Sequence, residues 1–534
     1  MNARQRWVVC FALIAVLAAG FFISERRSQK SAKPDFFNKE RLMRLGDETL
    51  PVASNCPNPQ TKTLKYKSRA LIHHEFVDFY HLSNNAAAAV EKHLKYLNGF
   101  FNSQPRAEAA WHNIGAPRFK IFKTSNSNYG IDGDYDPVAD YVTYPSSFQK
   151  TRKLRKADKA MTVEYEAEQD VVVCSTKSKL PETVDLILPR DPYLAFWAVT
   201  RGEREDLLYY GIQAVTNPCA DHQIVDLTQP SMYWYVWNPT AKGTNRLGKP
   251  YDCKAKINDA WTESATAQVL ERAVEAKPID FSKLFSVPKL QASMVFGFVG
   301  RDDPSEILKR AKPIFMNRDL REVARDSKTR EQVNKVDVSA WALVQFIDGF
   351  SEIADLDTVQ TSDRGSYLQF DIRGRLKESK KPIDFNIYYG ATDDRPGFPA
   401  HWQFLKEALE TSQMIFYVGH SGMGTDINLE TLQKHLNISA DDLRASMAGQ
   451  PYQLLSIISC YSMVYYNDQF LNYRPQDQQH TSDLLVMGNG TYKFGLPLAV
   501  LRYLDLHQQG EKVSLAKAVG LMLGGNEMAY FQRR

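Results

Sequence analysis

The last third of the chain repeats one pattern: a short apolar run, a polar turn, then a segment with helical spacing. The runs are IDFNIYYGAT (383–392), MIFYVGH (414–420), YQLLSIISC (452–460) and SDLLVMGN (482–489). Following them are AHWQFLKEALETS (400–412), NLETLQKHL (428–436) with ADDLRASM (440–447), YYNDQFLNY (465–473) and GLPLAVLRYLDLHQQ (495–509), and SLAKAVGLML (514–523) closes the series before Gly524-Gly525, a helix C-cap signal. Near-continuous apolar runs such as MIFYV and LLSII fit strands buried on two sides. Strands that alternate with helices run parallel and are covered on both faces. The pattern therefore predicts an α/β unit with a parallel sheet.

In open α/β sheets, ligands and chemistry gather beyond the carboxyl ends of the strands. Those ends carry Thr392-Asp393-Asp394, Gly419-His420-Ser421-Gly422, Ser459-Cys460-Tyr461 and Gly488-Asn489-Gly490-Thr491. Adjacent strands lie about 4.8 Å apart, so neighbouring tips can share one pocket. A cysteine and a histidine in one pocket fit nucleophilic catalysis, in which a thiolate attacks and an imidazole handles the proton. The N–H groups of Gly419, Gly422 and Cys460 are oxyanion-donor candidates. The same two residues also fit a satisfied structural histidine and an inert buried thiol, since free cysteine is often buried. Their matching places at the ends of two strands favour the chemical reading.

An apolar strand ending in a histidine and small residues, then a second ending in a small residue and a cysteine, resembles the caspase, legumain and gingipain group of cysteine peptidases. The resemblance covers about 383–509. It implies a caspase-like α/β fold, His420 as the catalytic acid/base, Cys460 as the nucleophile, a protein or peptide substrate, and neither metal nor organic cofactor. Two features depart from the family pattern. Ser421 intervenes where many members have a glycine directly after the histidine, and Ser459-Cys460-Tyr461-Ser462 differs from the caspase Gln-Ala-Cys run. They leave room for a non-catalytic relative: an envelope scaffold binding protein with the same fold. In this family the substrate pocket forms partly from the first strand's tip. Asp393 or Asp394 there would favour a basic P1 residue, or they cap the next helix or a turn.

The chain's 534 residues allow about two to four domains. Its N-terminus has Arg4 and Arg6, then 17 uncharged, mostly apolar residues from Trp7 to Ile23. As a helix that run spans about 26 Å, slightly short of a bilayer core of about 30 Å. Residues 1–30 are expected to be an uncleaved membrane anchor, with a cleaved signal peptide as the rival. Residues 31–59 read as a polar linker, 60–290 as a mixed α/β or α+β exported domain, 291–365 as a strand–helix connector, and 366–534 as the caspase-like domain. The hairpin SYLQFDIRGRLKESKKPIDFNIYYGATDD (366–394) opens that last unit. Cys56, Cys174, Cys219 and Cys253 allow two disulfides in three connectivities, leaving Cys460 over. This points to a cell-envelope body facing the periplasm or exterior, or a secreted one.

Other functions find little support. A net charge of +4 gives no case for nucleic acid, and the locally basic KTRKLRKADK (150–159) reads as a solvated loop or helix end. Gly419, Gly422 and Gly424 have the wrong order for a dinucleotide turn, and no phosphate-loop motif occurs. IHHEFVDFYH (72–81) lacks the second histidine of a zinc helix, and DGDYDP (132–137) has Pro137 where a calcium loop needs glycine. A serine triad lacks its strand-borne glycine-serine-glycine motif.

Overall fold

The alternating C-terminal runs come together as the middle of one large sheet in the computed structural model. The structure describes residues 37–44, 48–56, 59–73, 109–115, 117–128, 159–175, 179–189, 262–272, 277–299, 302–392, 400–421, 426–460, 462–474, 481–488, 495–523 and 529–533, with short pieces at 86–94, 133–157 and 242–252. The expected anchor, residues 1–30, lies outside them, as do the strand and aromatic runs at 140–145 and 232–239 and most of the helix at 84–103. Among the described residues no helix is long and apolar enough to cross a membrane.

Two sheets dominate. Strand β1 (Val52–Ala53) belongs to the larger sheet. Strands β2 (Gln60–His73), β3 (Ala109–Asn113), β4 (Arg118–Asn128), β5 (Lys159–Ser175), β6 (Thr183–Pro189) and β7 (Thr262–Glu271) make a six-stranded sheet in the order β3-β5-β2-β7-β6, with β4 also paired to β5. Strands β8 (Leu290–Gly297), β9 (Ala354–Asp363), β10 (Tyr367–Leu376), β11 (Pro382–Gly390), β12 (Met414–Val418), β13 (Tyr452–Ile458), β14 (Thr481–Met487) and β15 (Ala529–Arg533) join β1 in a nine-stranded sheet, ordered β9-β10-β11-β8-β12-β13-β14-β15-β1. The five central strands, β11 to β14, are parallel. The flanking pairs are antiparallel.

The apolar pattern explains these positions. All five residues of β12 and all seven of β13 are buried, as two-sided burial requires. β10 alternates between buried and partly exposed residues because only one of its faces is fully covered. Its hairpin turn to β11 is held by the buried Asp505 carboxylate, which accepts from Glu378 N at 3.1 Å and Ser379 N at 2.8 Å.

Helices cover both faces. Among them are α1 (Pro304–Phe315), α2 (Val338–Ile353), α3 (Ala400–Thr411), α4 (Leu429–Leu436), α5 (Ala440–Met447), α6 (Ser462–Tyr465), α7 (Asn467–Tyr473), α8 (Leu496–Gln508) and α9 (Leu515–Leu523). α1, α2, α8 and α9 share an apolar cluster with Met414, Phe416 and Val418 of β12. α3 to α7 share another with Ile415 and Tyr417 of the same strand. Adjacent β12 residues thus serve opposite layers.

Two expected boundaries need correction. Residues 291–365 do not merely connect: β8 is inserted between β11 and β12 as a central parallel strand. The expected linker, 31–59, supplies β1 to the sheet edge and Cys56 to a disulfide with Cys174. A strand's place is set by whose backbone groups it satisfies, and that partner can be remote in sequence. Cys219 and Cys253 lie outside the described residues.

The six-stranded sheet is joined to the larger one by more than the disulfide. Ala53, Ile114, Val172 and Cys174 share an apolar cluster with Tyr465, Tyr466, Phe470 and Tyr530. Asn467 Nδ2 donates to Ile114 O at 2.9 Å. Near this junction the largely buried Asp170 is 2.9 Å from Arg118 Nη1 and 3.0 Å from Arg272 Nη1, and accepts from Thr63 Oγ1 at 2.7 Å. Burial pushes its pKa up, but the Arg118 hydrogen bonds, the Thr63 hydroxyl and the Arg272 charge outweigh that and leave it below the ordinary 3.8. A depressed carboxyl stabilises the folded state above its unfolded pKa and loses that contribution as pH falls through the folded value. The stability difference between the wild type and Asp170→Asn is therefore expected to shrink as pH drops below about 3.8. Urea midpoints across the acid range check this.

Candidate active site

The parallel strands bring four carboxyl ends to one edge. Gly297 of β8 pairs with Gly390 of β11, Phe296 with Val418 of β12, and Val418 with Ile458 of β13. The β12–β13 offset is 40 positions (458 − 418). His420 and Cys460 each follow two residues after that last pair, at the tips of adjacent strands. Both are partly exposed at the rim, whereas the strand residues before them are buried. Cys460 is not in a disulfide and packs beside the apolar cluster that contains Met463, Tyr465 and Tyr466.

Small residues allow the tips to crowd. A Cβ on Gly419 would lie 3.0 Å from Tyr417 Oη and 3.4 Å from Gly297 Cα, and one on Gly297 would lie 2.6 Å from Thr392 Oγ1. Gly419 also corrects an expectation. Its N–H donates to Ile458 O at 3.4 Å, extending the sheet ladder. A group directed at the next strand is not aimed at a substrate oxygen, so Gly419 is no oxyanion donor in this geometry. Its contribution is steric. Gly422, Asp393 and Asp394 lie outside the described residues.

The His420 ring is held from β8's side. Its Nε2 is 3.0 Å from Val299 O. A carbonyl only accepts, so Nε2 carries the hydrogen, and in the neutral ring Nδ1 is left with the lone pair. The turn around His420 is gripped from below. Tyr417 Oη donates to His420 O, and Tyr466 Oη donates to Ser421 O. Tyr466 is fully buried, and burial pushes its phenol well above 10, so it remains a donor. It lies six positions after Cys460 (466 − 460), so the segment leaving the cysteine fastens the turn that carries the histidine.

The cysteine's own segment is also tied down. Ser462 Oγ donates to Ile457 O at 2.7 Å and accepts from Met487 N at 2.7 Å, joining β13 to the end of β14. This assigns the second serine of Ser-Cys-Tyr-Ser a structural role. Val299, Tyr466 and Ser462 escaped sequence reasoning. A main-chain carbonyl has no residue signature, and a tyrosine or serine near a strand end has many possible partners.

Among the described residues, no group of three or more His, Cys, Asp and Glu side chains converges to hold an ion. Gly133–Tyr135, inside the calcium-loop-like segment, forms a short antiparallel ladder with Arg152–Leu154. Of the zinc-like stretch, His74 to His81 lie outside the described residues.

No family model, curated protein or solved structure matches the chain.

Proposed function

We propose that this chain is a cysteine peptidase with a caspase-like domain, in which Cys460 is the nucleophile and His420 the general acid/base. The observation that carries the reading is that His420 and Cys460 each stand two residues beyond the last paired positions, Val418 and Ile458, of adjacent parallel strands, together with the Val299 carbonyl that leaves Nδ1 as the ring's basic nitrogen. His420 takes the thiol proton. The sulfur attacks the scissile carbonyl carbon, and the amine leaves with the proton returned from His420. Water, deprotonated by the same ring, then releases the acid and frees the sulfur. The N–H groups of Cys460 and Gly422 remain the oxyanion-donor candidates.

Protein or peptide is the substrate class on this reading, and Asp393 and Asp394 are the candidates for receiving an Arg or Lys at P1. The Cys56–Cys174 disulfide supports an oxidising compartment, hence an envelope-facing or secreted body. An N-terminal helix would tether it to the membrane.

Iodoacetamide alkylation of Cys460 tests the dyad. An unassisted thiol with a pKa of about 8.5 is about 1% ionised at pH 6.5. Pairing with imidazolium raises that fraction about hundredfold, while the lower pKa reduces nucleophilicity about tenfold. His420→Ala is therefore expected to slow alkylation about tenfold at pH 6.5, with the gap closing near pH 9. Equal rates with and without His420 would sink the peptidase reading and favour the non-catalytic scaffold. Cleavage of an Arg/Lys-P1 peptide library, abolished by Cys460→Ala, is the direct activity assay.

A further inference from the structure

We propose that Asp337 is a positioning residue for His420, acting through Val299; this rests on the Cys460–His420 reading above. Strand β8 ends at Gly297, and the next ladder bond, Phe298 N to Gly390 O at 3.0 Å, is the last on that side among the described residues. Val299 is thus the first residue beyond the sheet, yet its carbonyl is the one facing His420 Nε2. Its own N–H donates to Asp337 Oδ1 at 3.2 Å, from a residue 38 positions away.

Asp337 is well placed to hold that point still. It is 6% exposed and caps α2, its Oδ1 also accepting from Ser339 N at 2.7 Å. α2 is fixed in turn by Ala340, Leu343, Val344 and Ile347, all fully buried in the main apolar cluster. One carboxylate oxygen therefore connects a rigid helix to the exit of β8, and β8's exit connects to the imidazole. A capping aspartate needs only the helix N–H groups. The bond to Val299 is additional, and its effect falls on the orientation of the acceptor that selects the His420 tautomer.

The test separates capping from positioning. Asp337→Asn keeps an oxygen for both N–H groups. Asp337→Ser keeps a helix cap on a side chain one atom shorter, and Asp337→Ala removes both. The measurements are Cys460 alkylation from pH 5.5 to 9, the ¹⁵N shifts of the His420 ring, and thermal unfolding. Losing a hydrogen bond of ordinary worth is expected to slow Ala and Ser labelling about fivefold at pH 6.5. Both should show a mixed ring tautomer, while Asn stays near wild type in rate and spectrum. Wild-type rates and an unmixed Nε2–H tautomer in folded Asp337→Ser overturn the positioning role while leaving the dyad intact. Loss of all His420 dependence in the wild-type protein overturns the dyad, and the positioning role with it.

Discussion

Asp483→Ala is expected to cost about 3–5 kcal/mol of unfolding free energy. Asp483 is fully buried near the start of β14, at the edge opposite the candidate site. It receives Arg533 Nε on Oδ1 and Nη2 on Oδ2, both at 2.8 Å, and the Tyr452 hydroxyl at 2.6 Å. Burial raises its pKa, and the guanidinium and phenol restrain that rise without cancelling it. Truncation would leave the Arg533 charge, with its side chain 12% exposed, without its carboxylate and the Tyr452 hydroxyl without its acceptor. Breaking one side of a buried pair is costly because the remaining charge is neither solvated nor compensated. Replacing both partners, as in Asp483→Leu with Arg533→Met, is expected to cost much less, since it removes the desolvation penalty with the attraction. Chemical denaturation of the single and double variants checks the argument; a single variant within about 1 kcal/mol of wild type would refute it.

Trp402→Ala is expected to cost a similar amount, about 3–5 kcal/mol, for a different reason. Trp402 is fully buried on α3, in the cluster with Phe404, Leu405 and Leu409. Its ring stacks on His435 of α4, with centroids 5.7 Å apart and planes 15° from parallel. Removing the indole opens a cavity between two helices and the sheet, and a close-packed layer collapses into such a space only in part. Trp402→Phe fills much of it and is expected to cost clearly less. Equal costs for Ala and Phe would point away from a cavity effect. α4 follows the chain segment that leaves His420, so the loss loosens the layer behind the candidate site.

The features readable from the sequence were the local ones. Continuous apolar runs marked β12 and β13 as buried on both faces, and alternation marked the β10–β11 hairpin. Asn428 and Ser439 cap α4 and α5 at the starts of the segments read as helices. The two side chains at the strand tips, His420 and Cys460, were also legible, because the tip of an apolar run is visible in one dimension. The strand order was not. Nothing in Leu290–Gly297 specifies insertion between β11 and β12, since that depends on edges formed by chain about 90 to 120 residues later.

What the sequence alone determined here was the alternating α/β pattern and the placement of a histidine and a cysteine at strand ends. Tertiary structure decided who their neighbours are. Val299 O reaches His420 across 121 positions, Tyr466 reaches Ser421 across 45, Asp337 reaches Val299 across 38, and Cys56 reaches Cys174 across 118. The physical reason is range. Propensity, periodicity and capping act within a few residues of the chain, whereas a hydrogen-bond acceptor or a sulfur finds its partner only after the folded backbone has brought remote segments within a few ångströms.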